Sequence, residues 1–342
     1  MFTVYLKPTE YCNLKCSHCY VPEEKRRNEK KMSIEEVNFI LTQIKNYFKN
    51  EKVLIQFHGG EPLLMGVDYY KKIYDKWNGK FYFGVQTNLT LYNSSWDELI
   101  ENMFKGSLGT SFDFTRQFSN GGFAAFLKVW EEKYFQVRSK YFVSMGCILH
   151  KKNFLKGVFY WVNFIKKYAP HKISFISYVD IPHRADLVID YTDYINFLIS
   201  FIDSWGMQGE DIFCIKQINN FKNIQNIRSG CFGGFCSLSH IVINPDGTVG
   251  ACPALSPNGY IFGNIYKMPI GDILESKARQ MFIFKQLTLE EECIDCEYHA
   301  ICNSGCFALR QINLMQRTNC KDFFSKMIEL SLQKGGTHAT NN

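Results

Sequence analysis

Two periods of apolar spacing alternate along the chain. Short, mostly apolar runs read as strands at Phe2 to Leu6, Val53 to Phe57, Phe81 to Gln86, Leu108 to Phe112, Tyr141 to Leu149 and Lys172 to Val179. Helix-length amphipathic stretches lie between them, at Ser33 to Lys49, Val67 to Trp77, Ser94 to Phe104, Gly122 to Val137 and Asn153 to Tyr168, and Tyr191 to Trp205 follows the sixth strand. Ser33 and Glu36 stand in capping-box spacing at the first helix. Strict strand–helix alternation with apolar strands predicts a parallel α/β sheet covered by helices. Periodicity alone does not separate a barrel from a doubly wound sheet.

The texture changes at Cys231, because eight of the 13 cysteines fall between Cys231 and Cys320. This predicts a second, smaller domain. Within it, Ile241 to Val249 reads as a hairpin turning at Pro245-Asp246-Gly247. At 342 residues, 46% hydrophobic and 16% aromatic, the chain can bury a large core. It has no apolar run of about 18 residues that would predict a membrane span. The start, Met1 to Pro8, lacks a basic region followed by a signal-length apolar core, so the expected location is cytoplasmic.

Cys12, Cys16 and Cys19 follow the first strand directly. Three thiolates so spaced ligate only three irons of a cubane, leaving the fourth open to chelate and reduce a small molecule. Zinc favours four ligands and the next cysteine is Cys147, while disulfides need an oxidising compartment that the N-terminus does not indicate. His58-Gly59-Gly60-Glu61-Pro62 follows the second strand, where two glycines let backbone approach a small polar ligand. Gln86-Thr87-Asn88 and Ser111-Phe112-Asp113 end later strands. Such residues are also ordinary turn formers.

The three-Cys loop and the Gly-Gly-Glu-Pro turn, each after its own strand, resemble the radical S-adenosylmethionine (SAM) superfamily. The resemblance implies a partial (β/α)6 barrel over residues 1–205, a bridging segment at 206–230, a cysteine-rich SPASM domain at 231–334 and a disordered tail at 335–342. It further implies that Gly59, Gly60, Glu61 and Pro62 hold the methionine end of SAM, with Gln86, Ser111, Arg116 and Tyr20 as further contacts.

By counting, the eight later cysteines suit two tetrahedral metal sites or two closed cubanes equally well. The radical SAM loop on the same chain turns the reading to iron–sulfur. The resemblance then assigns Cys231, Cys236, Cys252 and Cys306 to one auxiliary cluster and Cys293, Cys296, Cys302 and Cys320 to the other. The tight Cys231-x4-Cys236 spacing departs from the family pattern. The formal charge of +6 invites a nucleic-acid partner, but three [4Fe-4S] clusters reduce it to about +1 and remove that argument. The basic run Lys25-Arg26-Arg27 reads as a solvated face rather than an anchor for an acidic peptide.

The implied activity is reductive cleavage of SAM, followed by hydrogen abstraction from a peptide or protein. The main expectation is a thioether or carbon–carbon crosslink in a ribosomally made peptide. The alternatives are an anaerobic sulfatase-maturating enzyme, a peptide epimerase and a non-enzymatic iron–sulfur redox or binding protein. Sulfatase maturases place an Asp base after the cysteine matching Cys252; Pro253 stands here, so no formylglycine product is expected. Asp113 is the candidate base, with Asp180 and His183 as substitutes. Cys147 is the candidate hydrogen donor, although a lone cysteine is commonly a small buried hydrophobe. An electron donor such as flavodoxin or ferredoxin is expected. Because the chain starts at the first strand, peptide recognition is expected at the barrel mouth, on the SPASM surface or on a separate leader-recognition protein.

Anaerobic reconstitution should load about twelve irons per chain, four for each of three cubanes. Substituting Cys12, Cys16 or Cys19 should abolish SAM cleavage, whereas auxiliary-cysteine variants should retain some cleavage and lose modified product. Iron near four per chain with bound zinc would contradict the auxiliary assignment.

Overall fold

The computed structural model describes residues 1–180, 184–206, 234–312 and 320–335. The bridging segment expected at 206–230 lies outside the described residues beyond Gly206, as do Cys231, His183 and the tail beyond Gly335. The chain divides into two compact units: residues 1–144 with 237–285, and residues 145–236 with 286–342.

In the first unit, β1 (Phe2–Thr9), β2 (Val53–Gly59) and β3 (Tyr82–Val85) pair in parallel, with Val4 opposite Ile55 and Ile55 opposite Phe83. An isolated parallel bridge from Gln86 to Gly109 continues this array into β4 (Ser107–Ser111). β4 opens a second sheet of order β4-β5-β6, with β5 at Phe142–Leu149 and β6 at Lys172–Ser177. All six expected strands form, each within a few residues of its expected bounds.

The expected hairpin forms, and it also joins the first sheet. Its strands β7 (His240–Ile243) and β8 (Thr248–Gly250), followed by β9 (Ile261–Asn264), extend the first sheet to the order β3-β2-β1-β7-β8-β9. β7 lies parallel to β1, with Val4 opposite Ile241. The hairpin therefore belongs to the first unit rather than to a separate cysteine-rich body. Ile241, Val242 and Ile243 are each 0% exposed. Such a run is characteristic of a strand covered on both faces.

Alternation along the strands sorts side chains onto two faces. Ile55, Phe57, Phe83, Val85, Leu108 and Phe112 are buried. This face meets helices: Phe57 packs 5.0 Å from Tyr70 on α3 (Val67–Trp77), and Phe112 packs 4.8 Å from Trp130 on α5 (Gly122–Arg138). The opposite face carries Gln56, His58, Gly84, Gln86, Gly109 and Ser111, all only partly buried. Polar residues and glycines on one side of an otherwise apolar sheet mark where ligands are received.

The helices form from the expected residues, and two are interrupted. The stretch expected from Asn153 to Tyr168 breaks into α6 (Lys151–Phe154) and α7 (Val158–Tyr168) at Gly157, whose φ is 76°. Ser94–Trp96 forms a 3-10 turn before α4 (Asp97–Asn102). No helix among the described residues is long and apolar enough to cross a membrane.

The capping box at α2 (Ile34–Phe48) is complete: Glu36 N–H donates to Ser33 Oγ at 3.1 Å and Ser33 N–H donates to Glu36 Oε2 at 2.7 Å. Ser33→Ala should lower unfolding stability by about 1 kcal/mol, measured as a shift in the denaturation midpoint at unchanged slope.

Candidate active site

Three strand exits converge around one acidic turn. Gly60 N–H donates to Thr9 O at 3.0 Å and Glu61 N–H donates to Tyr11 O at 2.9 Å, joining the end of β2 to the segment that enters the cysteine loop. A Cβ at Gly60 would lie 2.1 Å from Tyr11 O and 2.4 Å from Glu10 O, and one at Gly59 would lie 2.2 Å from Thr9 O. The glycines thus admit the close approach of the protein's own backbone. The Glu61 carboxylate is 1% exposed and accepts from Leu63 N–H, Thr87 Oγ1 and Asn88 N–H at 3.0, 2.7 and 2.7 Å. Burial raises its pKa while those donors oppose the rise. Pro62 begins a 3-10 turn, Pro62–Met65, and its carbonyl accepts from Tyr70 Oη at 2.9 Å.

The cysteine loop hangs from this junction. Its backbone is laced to α1 (Glu23–Arg27), where Cys12 N–H donates to Arg26 O at 3.1 Å, and to the segment after β4, where Lys15 N–H donates to Gln117 O at 2.8 Å. Burial pushes the Cys16 thiol up to about 12 and also raises Cys12 and Cys19. The thiols raise one another as well, so they lie within electrostatic reach. Three such sulfurs with cations beside them fit a cluster that takes them as thiolates.

Arg116 supplies one of those cations. Its Nε donates to Asp113 Oδ2 at 3.0 Å, and Cys16, Cys12 and Cys19 all act on its charge. Asp113 is 0% exposed and accepts also from Thr115 N–H at 3.0 Å and Thr115 Oγ1 at 2.7 Å, with His18 Nδ1 at 3.2 Å from Oδ1. A carboxylate so engaged anchors Arg116 and the loop.

The face opposite the helices carries two further pairs. Gln86 Nε2 donates to Ser111 Oγ at 2.8 Å, the two being adjacent SAM-contact candidates. Tyr20 Oη lies 3.1 Å from His58 Nδ1, which also accepts Gly59 N–H at 2.9 Å. Burial is the main cause holding His58 down to about 4, with Lys7 and Arg116 adding to it, so its ring is neutral near pH 7. Lys7 is 0% exposed, lies 5.2 Å from the Tyr20 ring centroid and pairs with Glu10 at 3.2 Å. Cys252 lies close enough to contribute to raising the Tyr20 phenol. Sequence reasoning gave His58 and Lys7 no role. The legible signal was a lysine closing an otherwise apolar strand.

In the second unit, Cys293, Cys296, Cys302 and Cys320 line one small pocket with His299 and Phe324. Four thiols around one pocket fit the closed auxiliary cluster. Cys236 and Cys306 belong to this unit, whereas Cys252 belongs to the first. None of the described cysteines is in a disulfide. Cys147 shares the buried row of β5 with Val143, Met145 and Leu149, all 0% exposed, and acts on Tyr160 of α7. It thus lies in the buried row of the strand, on the side of Tyr160. Asp180 accepts the Arg184 N–H at 2.5 Å.

This loop, turn and sulfur-lined pocket define a radical SAM enzyme with an auxiliary iron–sulfur domain. Residues 6–118 match the family model of the Radical SAM superfamily, and residues 231–297 match that of the SPASM iron–sulfur cluster-binding domain. It is 26% identical to a cysteine-type anaerobic sulfatase-maturating enzyme of Clostridium novyi over 95% of both chains. It is 25% identical to a serine-type anaerobic sulfatase-maturating enzyme of Bacteroides thetaiotaomicron, covering 89% of this chain and 82% of that one. The fold matches the solved structure of native anSMEcpe with bound AdoMet at a TM-score of 0.80, with 22% identity over 97% of this chain and 99% of that one. [4Fe-4S] clusters and SAM are therefore its cofactors.

Gly60→Ala forces a methyl group into two carbonyl oxygens. It should destabilise the protein by about 1 to 3 kcal/mol and lower the iron retained after reconstitution, read by metal analysis. A fully loaded variant of unchanged stability would refute the seam described above.

Proposed function

We propose that this chain is a peptide- or protein-modifying enzyme of the sulfatase-maturating kind, oxidising a Cys or Ser side chain. The observation that carries the reading is the 95% two-way overlap with the C. novyi enzyme, since a relationship spanning both domains favours a shared task over a shared fold alone. When bound at the open cluster, SAM supplies a radical that removes a hydrogen atom from an unactivated carbon. The chain's own residues position and shield. Glu61 fixes the turn, Gln86 and Ser111 offer polar contacts for SAM, and Arg116 sets positive charge beside the three sulfurs. A one-electron donor of the flavodoxin or ferredoxin class is the expected partner.

Pro253 favours the second reading, a thioether or carbon–carbon crosslink. It has no ionisable group, and Asp113 is engaged, so neither is placed to take the proton released when a side chain becomes an aldehyde. In a crosslink the substrate's own thiol or ring attacks, and a separate leader-recognition protein becomes relevant. The position of Cys147 against the helices gives the epimerase reading no support.

A Cys/Ser-x-Pro-x-Arg peptide, incubated with reconstituted enzyme, SAM and reductant without oxygen, separates the two. The proposal expects a hydrazide-reactive aldehyde, confirmed by mass. SAM turnover that leaves this peptide free of aldehyde would overturn it in favour of the crosslinking reading.

A further inference from the structure

Lys25, Arg26 and Arg27 are consecutive cations with three different environments. Arg27 is exposed and pairs with Glu23 through its Nε at 2.9 Å. Lys25 lies 3.5 Å from Glu10. Arg26 turns to the cysteine loop instead.

It bonds the loop at two of its three cysteines. Its carbonyl accepts Cys12 N–H at 3.1 Å, and its Nη1 donates to Cys16 O at 3.3 Å. Among charged groups its guanidinium acts most strongly on Cys19. Its Nε is buried and has no hydrogen-bond partner within the protein. A buried guanidinium N–H is costly to leave unmatched. Here it sits in a segment bonded to the loop that would carry sulfur and iron.

We propose that Arg26 clamps the cysteine loop through Nη1 and offers its Nε–H to the sulfur atoms of the cluster held by Cys12, Cys16 and Cys19, raising that cluster's reduction potential. Reduction adds negative charge to the cluster, and a cationic donor at its sulfurs stabilises the reduced form more than the oxidised one. Arg26 is thus a positioning residue that makes the electron easier to load, without touching the substrate. The inference rests on the cluster reading of the loop and is independent of which peptide is modified.

The test uses the full chain, reconstituted anaerobically as wild type, Arg26→Gln and Arg26→Lys. Iron and sulfide are counted, and a redox titration follows the EPR signal that changes when SAM is added, which singles out the open cluster. In Arg26→Gln the reduced-to-oxidised ratio at a fixed potential should fall about tenfold, equivalent to about 59 mV for a one-electron couple. Arg26→Lys keeps the charge but lacks the Nε–H, and its ratio should fall by less. An unchanged ratio in a fully loaded Arg26→Gln overturns the proposal. If Arg26→Gln does not retain this cluster, Arg26→Lys decides: a lowered ratio supports the proposal and an unchanged one overturns it. Loss of the cluster from both variants leaves Arg26 a clamp only and overturns the tuning. A wild type with no SAM-responsive signal would instead contradict the cluster reading itself.

Discussion

The Glu61 carboxylate is buried and has to find its hydrogen bonds inside the protein. It finds them on Thr87 and Asn88 beyond β3 and on Leu63 in its own turn, while its backbone N–H binds Tyr11 O at the mouth of the cysteine loop. Each bond to a charged acceptor contributes about 1.5 to 3 kcal/mol, and losing the partners of a buried charge costs more. One residue, through its side chain and its backbone N–H, therefore ties the exits of β1, β2 and β3 at a fixed spacing. The glycines before it let the backbones approach closely enough for those bonds to form.

Charge is arranged around that scaffold with the same economy. Burial alone would keep the three loop thiols protonated. Arg116 and Arg26 bring positive charge to them from two different segments, one following β4 and one in α1. Asp113 holds Arg116 in place, so a buried carboxylate fixes the position of one of these cations.

The strands and helices were legible because each obeys a single period, and Ser33 with Glu36 announced a cap that forms as written. The metal ligands were legible because cysteine spacing reflects coordination. What escaped was whatever depended on contacts distant in sequence. Nothing local in Ile241-Val242-Ile243 says that it lies beside β1, although a strand without polar alternation hinted at cover on both faces. Asp113 looked like a base because the sequence does not show that Thr115, Arg116 and His18 converge on it. Gly59 and Gly60 were rightly singled out, but the group pressed against them is backbone.

The two-faced strands also sort mutations by consequence. Thr110 is 0% exposed toward the helices, while its neighbour Ser111 bonds Gln86 on the other side. Phe57 and His58 divide in the same way. Along each strand, damage to folding and damage to chemistry therefore alternate residue by residue. A deep mutational scan that read abundance and turnover separately would trace two interleaved combs, out of step by one position.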